Sequence, residues 1–202
     1  MTGHFIAFEG GEGSGKSTQA KVLAERIGAV LTHEPGDTPL GVALRTILLD
    51  SATLDITPRA EALLMAADRA QHVDALVRPA LASGRSVVTD RYTGSSIAYQ
   101  GYGRQLAPHE IAALSEWATV ELRPDLVVLL EVPPRVAVER TGGARDRLEA
   151  AGDAFHTRVH DGFLQQAIAD PERWAIVDGT LPPAEVAEQV WSIVAMRFPD
   201  LT

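Results

Sequence analysis

Short apolar runs alternate along the chain with longer stretches in which apolar residues recur every three or four positions. The short runs indicate buried β-strands, and the longer stretches indicate amphipathic helices. The predicted strands are residues 5–8, 30–32, 86–89, 126–132 and 174–177. The predicted helices are residues 16–27, 40–49, 58–82, 95–100, 108–120, 135–141, 153–169 and 183–196. This alternation is typical of an α/β fold, here a five-stranded parallel sheet with helices on both faces.

The longest predicted helix, residues 58–82, carries recognisable end signals. Thr57 precedes Pro58 as an N-cap, and Ser83 with Gly84 marks the end of the pattern. Pro79 predicts a kink or a shortening of the last turn, because proline lacks the N–H that a helix interior requires. In open parallel sheets, ligands bind beyond the carboxyl ends of the strands, so a binding site is expected at that edge.

Composition narrows the class of protein. The 202 residues suit a single α/β domain, and no internal repeat divides them. Hydrophobic residues make up 46% of the chain and the net charge is −9, which favours a globular enzyme over a general nucleic-acid binder. The absence of cysteine excludes disulfides and thiolate metal sites. The start lacks the basic residues of a signal peptide, and no apolar run reaches the length of a membrane span. The expected location is therefore the cytoplasm, with no membrane partner.

The segment GGEGSGKS at residues 10–17 matches the phosphate-binding P-loop pattern, and it lies between a predicted strand and a predicted helix. Backbone N–H groups in such a loop surround phosphate oxygens, and the helix that follows directs its positive end at the same anion. Lys16, expected to be exposed on this loop, adds a charge near the β- and γ-phosphates, and Ser17 offers a hydroxyl to Mg²⁺. The residues predicted to bind the ATP phosphates are Gly10, Gly11, Glu12, Gly13, Ser14, Gly15, Lys16, Ser17 and Thr18. The fold is therefore expected to be that of a P-loop NTPase.

Other residues suggest a second, anionic substrate. Asp90 and Arg91 follow the third predicted strand, where an aspartate can organise Mg²⁺ and an arginine can bind a phosphate. Met65 and Arg69 share one helical face, and Arg45 ends a short helix. Each has a structural alternative: a surface ion pair for the Asp-Arg pair, core packing for Met65 and a solvated face for the two helical arginines.

Four motifs together resemble the bacterial thymidylate kinase family of P-loop nucleoside monophosphate kinases. They are FEGGEGSGKSTQ at residues 8–19, EPGDTPLG at 34–41, ADR at 67–69 and DRYTGSSIAYQG at 90–101. The resemblance runs from about residue 4 to the final helix. It implies transfer of the γ-phosphate of ATP to dTMP with Mg²⁺, giving dTDP and ADP. It also implies a homodimer, for which the helices near Leu63 or Ile111 offer apolar faces.

The resemblance also implies roles for individual residues. Arg91 and Arg45 would hold the dTMP phosphate, and Glu12 would bind the 3′-hydroxyl. Tyr99 would pack on the sugar. The thymine ring would meet Met65, Arg69 and Ser96, and Gln100 is a further candidate for binding dTMP. Ser17 and Asp90 would serve the metal ion.

Residues 140–152 resemble the lid of the family. Arg145 and Arg147 are the candidate catalytic arginines beside Lys16 and Arg91, because the P-loop carries Gly13 where some relatives have a basic residue. A charged, solvated loop is the alternative interpretation of this segment.

Three residues differ from the family pattern. Met65 replaces an aromatic residue, His33 replaces an arginine and Asp37 replaces a glycine.

Two other functions remain open at the level of the sequence. One is a kinase for a different nucleoside or nucleotide, and the other is a P-loop module that switches a partner without phosphorylating a small molecule. The chain has no NKxD segment for guanine, which argues against a GTPase, and the P-loop does not match GxGxxG, which argues against a dinucleotide oxidoreductase.

Overall fold

Five parallel strands form one sheet in the order β2-β3-β1-β4-β5, as seen in a computed structural model that describes residues 3–49, 55–141 and 147–201. The strands are β1 Phe5–Glu9, β2 Val30–His33, β3 Val87–Asp90, β4 Leu126–Glu131 and β5 Trp174–Asp178. All five were predicted within one or two residues at each end. The sequence order of the strands differs from their order in the sheet, as expected for helical crossovers between parallel strands.

The helices are α1 Lys16–Ile27, α2 Pro39–Leu49, α3 Pro58–His72, α4 Arg78–Ala82, α5 Thr93–Ser96, α6 Pro108–Thr119, α7 Pro134–Thr141, α8 Asp153–Ala169 and α9 Pro183–Arg197. Two π-helical turns, Val73–Val77 and Ile97–Gly103, follow α3 and α5, and two 3₁₀ turns lie at Glu149–Ala151 and Pro199–Leu201. The sequence predicted the other α-helices but did not separate α4 from α3, and the predicted helix at residues 95–100 spans the end of α5 and the π-helical turn that follows it.

The helical path from Pro58 to Ala82 is continuous, but its regular geometry changes before Pro79. Thr57 Oγ1 accepts a hydrogen bond from Ala60 N at 3.4 Å, which confirms the predicted N-cap. The π-helical turn Val73–Val77 then precedes Pro79, which lies in the first turn of α4. A proline at this position removes an N–H donor, and the wider turn accommodates that loss.

The sheet is buried on both faces. Ile6 and Phe8 of β1 pack with α1 and α9 on one face, whereas Phe5 and Ala7 pack on the other face with Val77. Successive side chains of a strand point to opposite sides, so apolar residues at every position of β1 require cover on both sides. The helices supply that cover.

Two apolar positions considered for a subunit interface differ in accessibility. Leu63 on α3 is 59% exposed, whereas Ile111 on α6 is only 5% exposed. The Ile111 side chain itself belongs to the interior, whereas α6 exposes Trp117 at 80%, so the interface near Ile111 stays a prediction. In the three described stretches of the chain, no helix has the length and apolar character needed to cross a membrane.

Candidate active site

The register of the sheet brings the phosphate loop and the end of β3 together. Phe8 lies opposite Asp90, and His33 of β2 lies opposite Asp90 on the other side. Glu9 continues β1 directly into the glycine-rich loop. The loop, Asp90 and the segment after β2 therefore meet at the carboxyl edge of the sheet, where the sequence placed the site.

The phosphate loop requires glycine at specific backbone positions. Gly10 has φ 143°, and a Cβ added to it would lie 2.7 Å from Leu130 O. Gly15 has φ 90°, and no atom lies within 4 Å of the Cβ it would carry. A side chain at Gly10 would therefore collide with the backbone of β4. Gly15 leaves open space at the start of α1, where an anion is favoured.

Lys16 is folded onto the phosphate loop. Its Nζ donates to Gly11 O at 2.6 Å and to Ser14 Oγ at 3.2 Å, and the residue is only 5% exposed. The sequence-based expectation of an exposed lysine was therefore wrong. Burial lowers the pKa of Lys16 to about 8, and the neighbouring Arg91 charge acts in the same direction.

Ser17 and Asp90, the two predicted metal ligands, contact each other. Ser17 Oγ donates to Asp90 Oδ2 at 2.5 Å. Asp90 Oδ1 is buried and accepts no hydrogen bond from any residue that the structure describes. An unsatisfied buried carboxylate oxygen beside a hydroxyl fits Mg²⁺, which uses one or two protein ligands together with water and substrate phosphates. The described residues contain no group of three or more His, Cys, Asp or Glu that could hold a metal by themselves.

Arg91 adopts a backbone conformation that is rare outside glycine. Its φ is 73°, in the left-handed region. The Arg91 N–H donates to Phe8 O at 2.9 Å, and Thr89 Oγ1 donates to Arg91 O at 2.9 Å. These bonds hold the strained residue in place, as is common at functional sites.

The Arg91 guanidinium lies among the groups predicted to bind the acceptor. It forms an ion pair with Glu12, donates to Tyr99 Oη at 3.3 Å and donates to Gly10 O at 3.1 Å. Tyr99 Oη also donates to Glu12 at 3.2 Å. Burial alone would raise the pKa of Glu12, but the Arg91 and Lys16 cations outweigh it and lower that pKa to about 2.

Glu9 is linked to Arg91 through Ser95, and the sequence did not predict this role. Its carboxylate accepts bonds from Tyr92 N at 3.0 Å, Ser95 N at 2.9 Å and Ser95 Oγ at 2.6 Å. Ser95 Oγ in turn accepts from Arg91 Nη1 at 3.1 Å. Burial raises the pKa of Glu9 to about 7, against the opposing effects of the Ser95 hydrogen bond and the Arg91 charge. The available signal was an acidic residue at the carboxyl end of a buried strand.

Arg69 is 3% exposed, which excludes a solvated helix face for it. Its Nε donates to Glu34 Oε2 at 2.7 Å, and its Nη1 donates to Ser96 Oγ at 2.9 Å. Glu34 also contacts His72 Nδ1 at 2.8 Å. The predicted base-binding residues Arg69 and Ser96 are therefore in direct contact, held by a buried carboxylate that the sequence did not single out for this purpose.

Two of the residues that differ from the family pattern contact each other. His33 Nδ1 lies 3.8 Å from Asp37 Oδ1, and Asp37 also accepts a short hydrogen bond from Thr32. Nearby, the exposed Arg45 donates from Nη1 to Pro35 O at 2.7 Å. The segment after β2 thus places one arginine and one extra aspartate at the rim of the site.

One cavity of about 450 Å³ joins these groups. Its wall includes most of the predicted substrate, catalytic and metal residues, namely Glu12, Lys16, Ser17, Arg45, Met65, Arg69, Asp90, Arg91, Ser96, Tyr99 and Gln100. The predicted phosphate-loop residues that do not line it are Gly10, Gly11, Gly13, Ser14, Gly15 and Thr18, which form the loop and the start of α1. Met65 is half-buried and faces the cavity while also packing beside Tyr99.

The predicted lid arginines have different outcomes. Arg145 lies outside the described residues. Arg147 Nη2 lies 2.6 Å from Glu61 Oε2, and Arg147 is not among the residues that line the cavity. Its catalytic role therefore stays a prediction.

The thymidylate kinase family model matches residues 8–190. A thymidylate kinase of Bifidobacterium longum is 46% identical over 209 residues, covering all of both chains. A thymidylate kinase of Clavibacter michiganensis is 50% identical over 198 residues, covering 94% of this chain and 93% of the relative. The crystal structure of thymidylate kinase from Ehrlichia chaffeensis superimposes with a TM-score of 0.78 at 30% identity, covering 96% of this chain and 99% of that one. The likeness in sequence and in structure thus extends over nearly the whole length.

Proposed function

We propose, since the chain belongs to the thymidylate kinase family, that it transfers the γ-phosphate of ATP to dTMP and forms dTDP and ADP, a step in dTTP synthesis. One observation carries the proposal. A single cavity holds the phosphate loop lysine Lys16, the Arg91–Glu12 pair and the Arg69–Ser96 pair, so a nucleotide acceptor fits with its phosphate toward the loop.

The donor side is formed by the phosphate loop and the start of α1. Backbone N–H groups of residues 10–18 would surround the β- and γ-phosphates, and Lys16 would exchange its contacts with Gly11 and Ser14 for phosphate oxygens. Ser17 and Asp90 would hold Mg²⁺, which supplies positive charge to the phosphate oxygens when bound.

The acceptor side divides into three regions. Arg91 and Arg45 would hold the dTMP phosphate, Glu12 would accept the 3′-hydroxyl, and Tyr99 would pack on the sugar. The base would lie beside Met65, Arg69, Ser96 and Gln100. The contacts support this order, because Arg91 donates to Gly10 O of the phosphate loop, whereas Arg69 and Ser96 bond to each other and Arg69 pairs with Glu34.

The reaction needs positioning and charge stabilisation more than a base. An oxygen of the acceptor phosphate attacks the γ-phosphorus, the bond from that phosphorus to the β–γ bridging oxygen breaks, and ADP leaves with the electron pair. Lys16 and Arg91 would neutralise charge on the moving group, because its transition state spreads negative charge over three oxygens. Arg145 and Arg147 are the candidates that the family resemblance implies for the lid contribution to the same charge.

Release of ADP in a coupled assay tests the proposal, with dTMP, dUMP, dCMP, dGMP or AMP as the acceptor in turn. We expect the highest kcat/KM with dTMP. A higher value with another monophosphate would identify a different nucleotide kinase. Nucleotide binding without acceptor-dependent ADP release would indicate a switching module instead.

We also propose that the protein is a homodimer in the cytoplasm. Helix α2 packs against α3, and together they expose the apolar residues Leu40, Val42, Ile47 and Leu63. A patch of this kind favours association. Sedimentation analysis tests it: Leu63→Glu should produce monomers, whereas Val22→Glu on α1 should leave the dimer intact.

The proposed location in the cytoplasm rests on the absence of cysteine, which suits a reducing compartment.

A further inference from the structure

Glu61 is a buried carboxylate that the phosphoryl transfer does not use. Its side chain is 0% exposed and lies on α3, one helical turn before Met65. Gln100 Nε2 donates to Glu61 Oε1 at 2.8 Å, and Arg104 Nη2 donates to Glu61 Oε2 at 3.0 Å. Arg147 supplies a second guanidinium at 2.6 Å from the same Oε2, as an ion pair without hydrogen-bond alignment. A buried carboxylate needs such partners to remain charged.

Arg147 connects this carboxylate to the end of α2. Its Nε donates to Leu48 O at 2.9 Å, and its backbone N–H donates to Leu49 O at 3.3 Å. The last carbonyls of a helix have no partner within the helix, so these bonds satisfy groups that would otherwise remain unpaired. Arg147 therefore fixes its own backbone against α2 while its guanidinium is held by α3.

The residue after Arg147 belongs to the cavity. Leu148 is buried, lines the cavity and packs with Tyr99 and Phe155. Leu49 and Met65 line the cavity as well and border the same apolar cluster. These three side chains form an apolar rim, defined here as Leu49, Met65 and Leu148. Met65 lies one helical turn after Glu61. Leu148 follows Arg147 in the chain, and Leu49 follows Leu48, whose carbonyl accepts the hydrogen bond from Arg147.

We propose that Leu148 contacts the acceptor, and that Glu61 and Arg147 are positioning residues that hold Leu148 in the rim. The inference rests on the proposed function, because it takes the acceptor to be a nucleoside monophosphate. An apolar side chain on a preorganised backbone stabilises a flat base by contact, and a displaced one loses most of that contact. In this proposal Arg147 acts on acceptor binding through Leu148, in place of the direct contact with the transferred phosphoryl group that the family resemblance implied for it.

The test compares two arginines on one carboxylate. Arg147→Gln should raise the KM for dTMP about 3- to 10-fold, with the KM for ATP within twofold and kcat within threefold of wild type. Arg104→Gln is the matched control, because it removes a guanidinium from the same Glu61 oxygen, whereas the bonds to Leu48 O and Leu49 O of α2 come from Arg147. The KM of Arg104→Gln for dTMP should stay within twofold of wild type, although its melting temperature should fall about as much as that of Arg147→Gln.

Leu148 variants provide a second, independent measurement if Arg147→Gln does not fold. Leu148→Ala should raise the KM for dTMP by a similar factor, and Leu148→Met should restore most of it, because methionine refills the same volume. An equal rise in the KM for dTMP in the Arg147 and Arg104 variants would overturn the positioning role. A loss of kcat with unchanged KM values in Arg147→Gln would also overturn it, since that result means a contact made in the transition state.

Different results would contradict the proposed function and this inference. Wild-type protein that releases no ADP with dTMP would contradict the thymidylate kinase activity. Active wild-type protein with normal dTMP kinetics in both Leu148→Ala and Arg147→Gln would contradict only the role of the rim.

Discussion

Glu12 and Arg91 form an ion pair inside the cavity, although the proposed function gives them different parts of the acceptor to bind. Arg91 would hold the phosphate and Glu12 the 3′-hydroxyl. With these roles, binding of dTMP would replace one strong internal contact with two contacts to the ligand. Because the two residues neutralise each other beforehand, neither charge is left desolvated and unpaired in the free protein.

The first prediction concerns Glu12. Glu12→Gln keeps the shape of the side chain but removes the charge that holds both Arg91 and the sugar hydroxyl. We expect kcat/KM for dTMP to fall about 10-fold or more, in line with about 1.5–3 kcal/mol for a hydrogen bond to a charged group. Steady-state kinetics with each substrate varied in turn measures this.

ATP serves as the internal control for that variant. The dissociation constant for ATP should change by less than about threefold, because Glu12 bonds to Arg91 and Tyr99, whereas Lys16 bonds to Gly11 and Ser14 and interacts with Glu12 only through its charge. Equal losses for ATP and dTMP would assign Glu12 to the architecture of the phosphate loop and would contradict its role at the sugar.

The second prediction concerns the pH dependence that Lys16 produces. The pKa of Lys16 is lowered to about 8 by burial, so the free protein loses this charge as the pH rises above about 8. We expect kcat/KM for ATP to decline above that pH. The profile of kcat should decline at higher pH, because bound phosphates stabilise the charged lysine.

A pH series from 6 to 10 checks this expectation, with Lys16→Ala as the reference without activity. Lys16→Ala should lose nearly all turnover with only a small change in melting temperature, since the side chain touches the loop and not the apolar core. A kcat/KM for ATP that stays constant to pH 10 would be incompatible with a buried, shifted Lys16.

The third prediction concerns stability and Glu9. Its pKa rises from 4.5 to about 7 in the folded protein, so folding favours the protonated form. The resulting stabilisation is fully present below pH 4.5 and is lost as the pH rises through 7. Glu9→Gln does not titrate, and its amide can keep the bonds to Tyr92 N and Ser95.

We therefore expect Glu9→Gln to gain stability relative to wild type between pH 4.5 and pH 7, by up to about 3 kcal/mol at 1.36 kcal/mol per pKa unit. Urea unfolding of both proteins at pH 4.5, 6 and 8 measures the difference. Parallel stability curves across this range would mean that Glu9 remains ionised in the folded state.

The sequence predicted the parts of the molecule that depend on local pattern. Buried strands, helix ends and the P-loop each occupy a few consecutive residues, and the register of a parallel sheet then places Asp90 beside the loop. Many of the cavity residues lie within the family motifs, which are also contiguous, whereas Leu31, Thr32, Leu49 and Leu148 line the cavity without having been predicted. This explains why residues as separate as Glu12 and Tyr99 were assigned to one site before their contact was seen.

Contacts between distant segments were not predictable in the same way. Glu9 and Ser95 are 86 residues apart, and Glu61 and Arg147 are equally separated. Neither pair has a spacing that a period or motif could reveal. The burial of Lys16 was missed for a related reason, since a glycine-rich loop suggests exposure until the lysine is seen folded across it.

The fourth prediction concerns Met65, which stands where the family pattern has an aromatic residue. Met65 lines the cavity one helical turn before Arg69 and packs beside Tyr99 and Leu148. Its flexible thioether can contact the face of a base, but it loses more rotamer freedom in doing so than a flat ring would. We therefore expect Met65→Phe to hold or improve the affinity for dTMP and Met65→Ala to weaken it several-fold.

Titration with dTMP beside a thermal melt separates this role from packing. Stacking of a base on an aromatic ring is worth about 1–3 kcal/mol, which sets the upper limit for the gain in Met65→Phe. Truncation of a fully buried methionine costs about 2–5 kcal/mol of stability, but Met65 is only half-buried, so the loss in Met65→Ala should fall below that range. ATP affinity should stay the same in both variants. A large drop in melting temperature with unchanged dTMP affinity would place Met65 in the core and leave the base to Arg69 and Ser96.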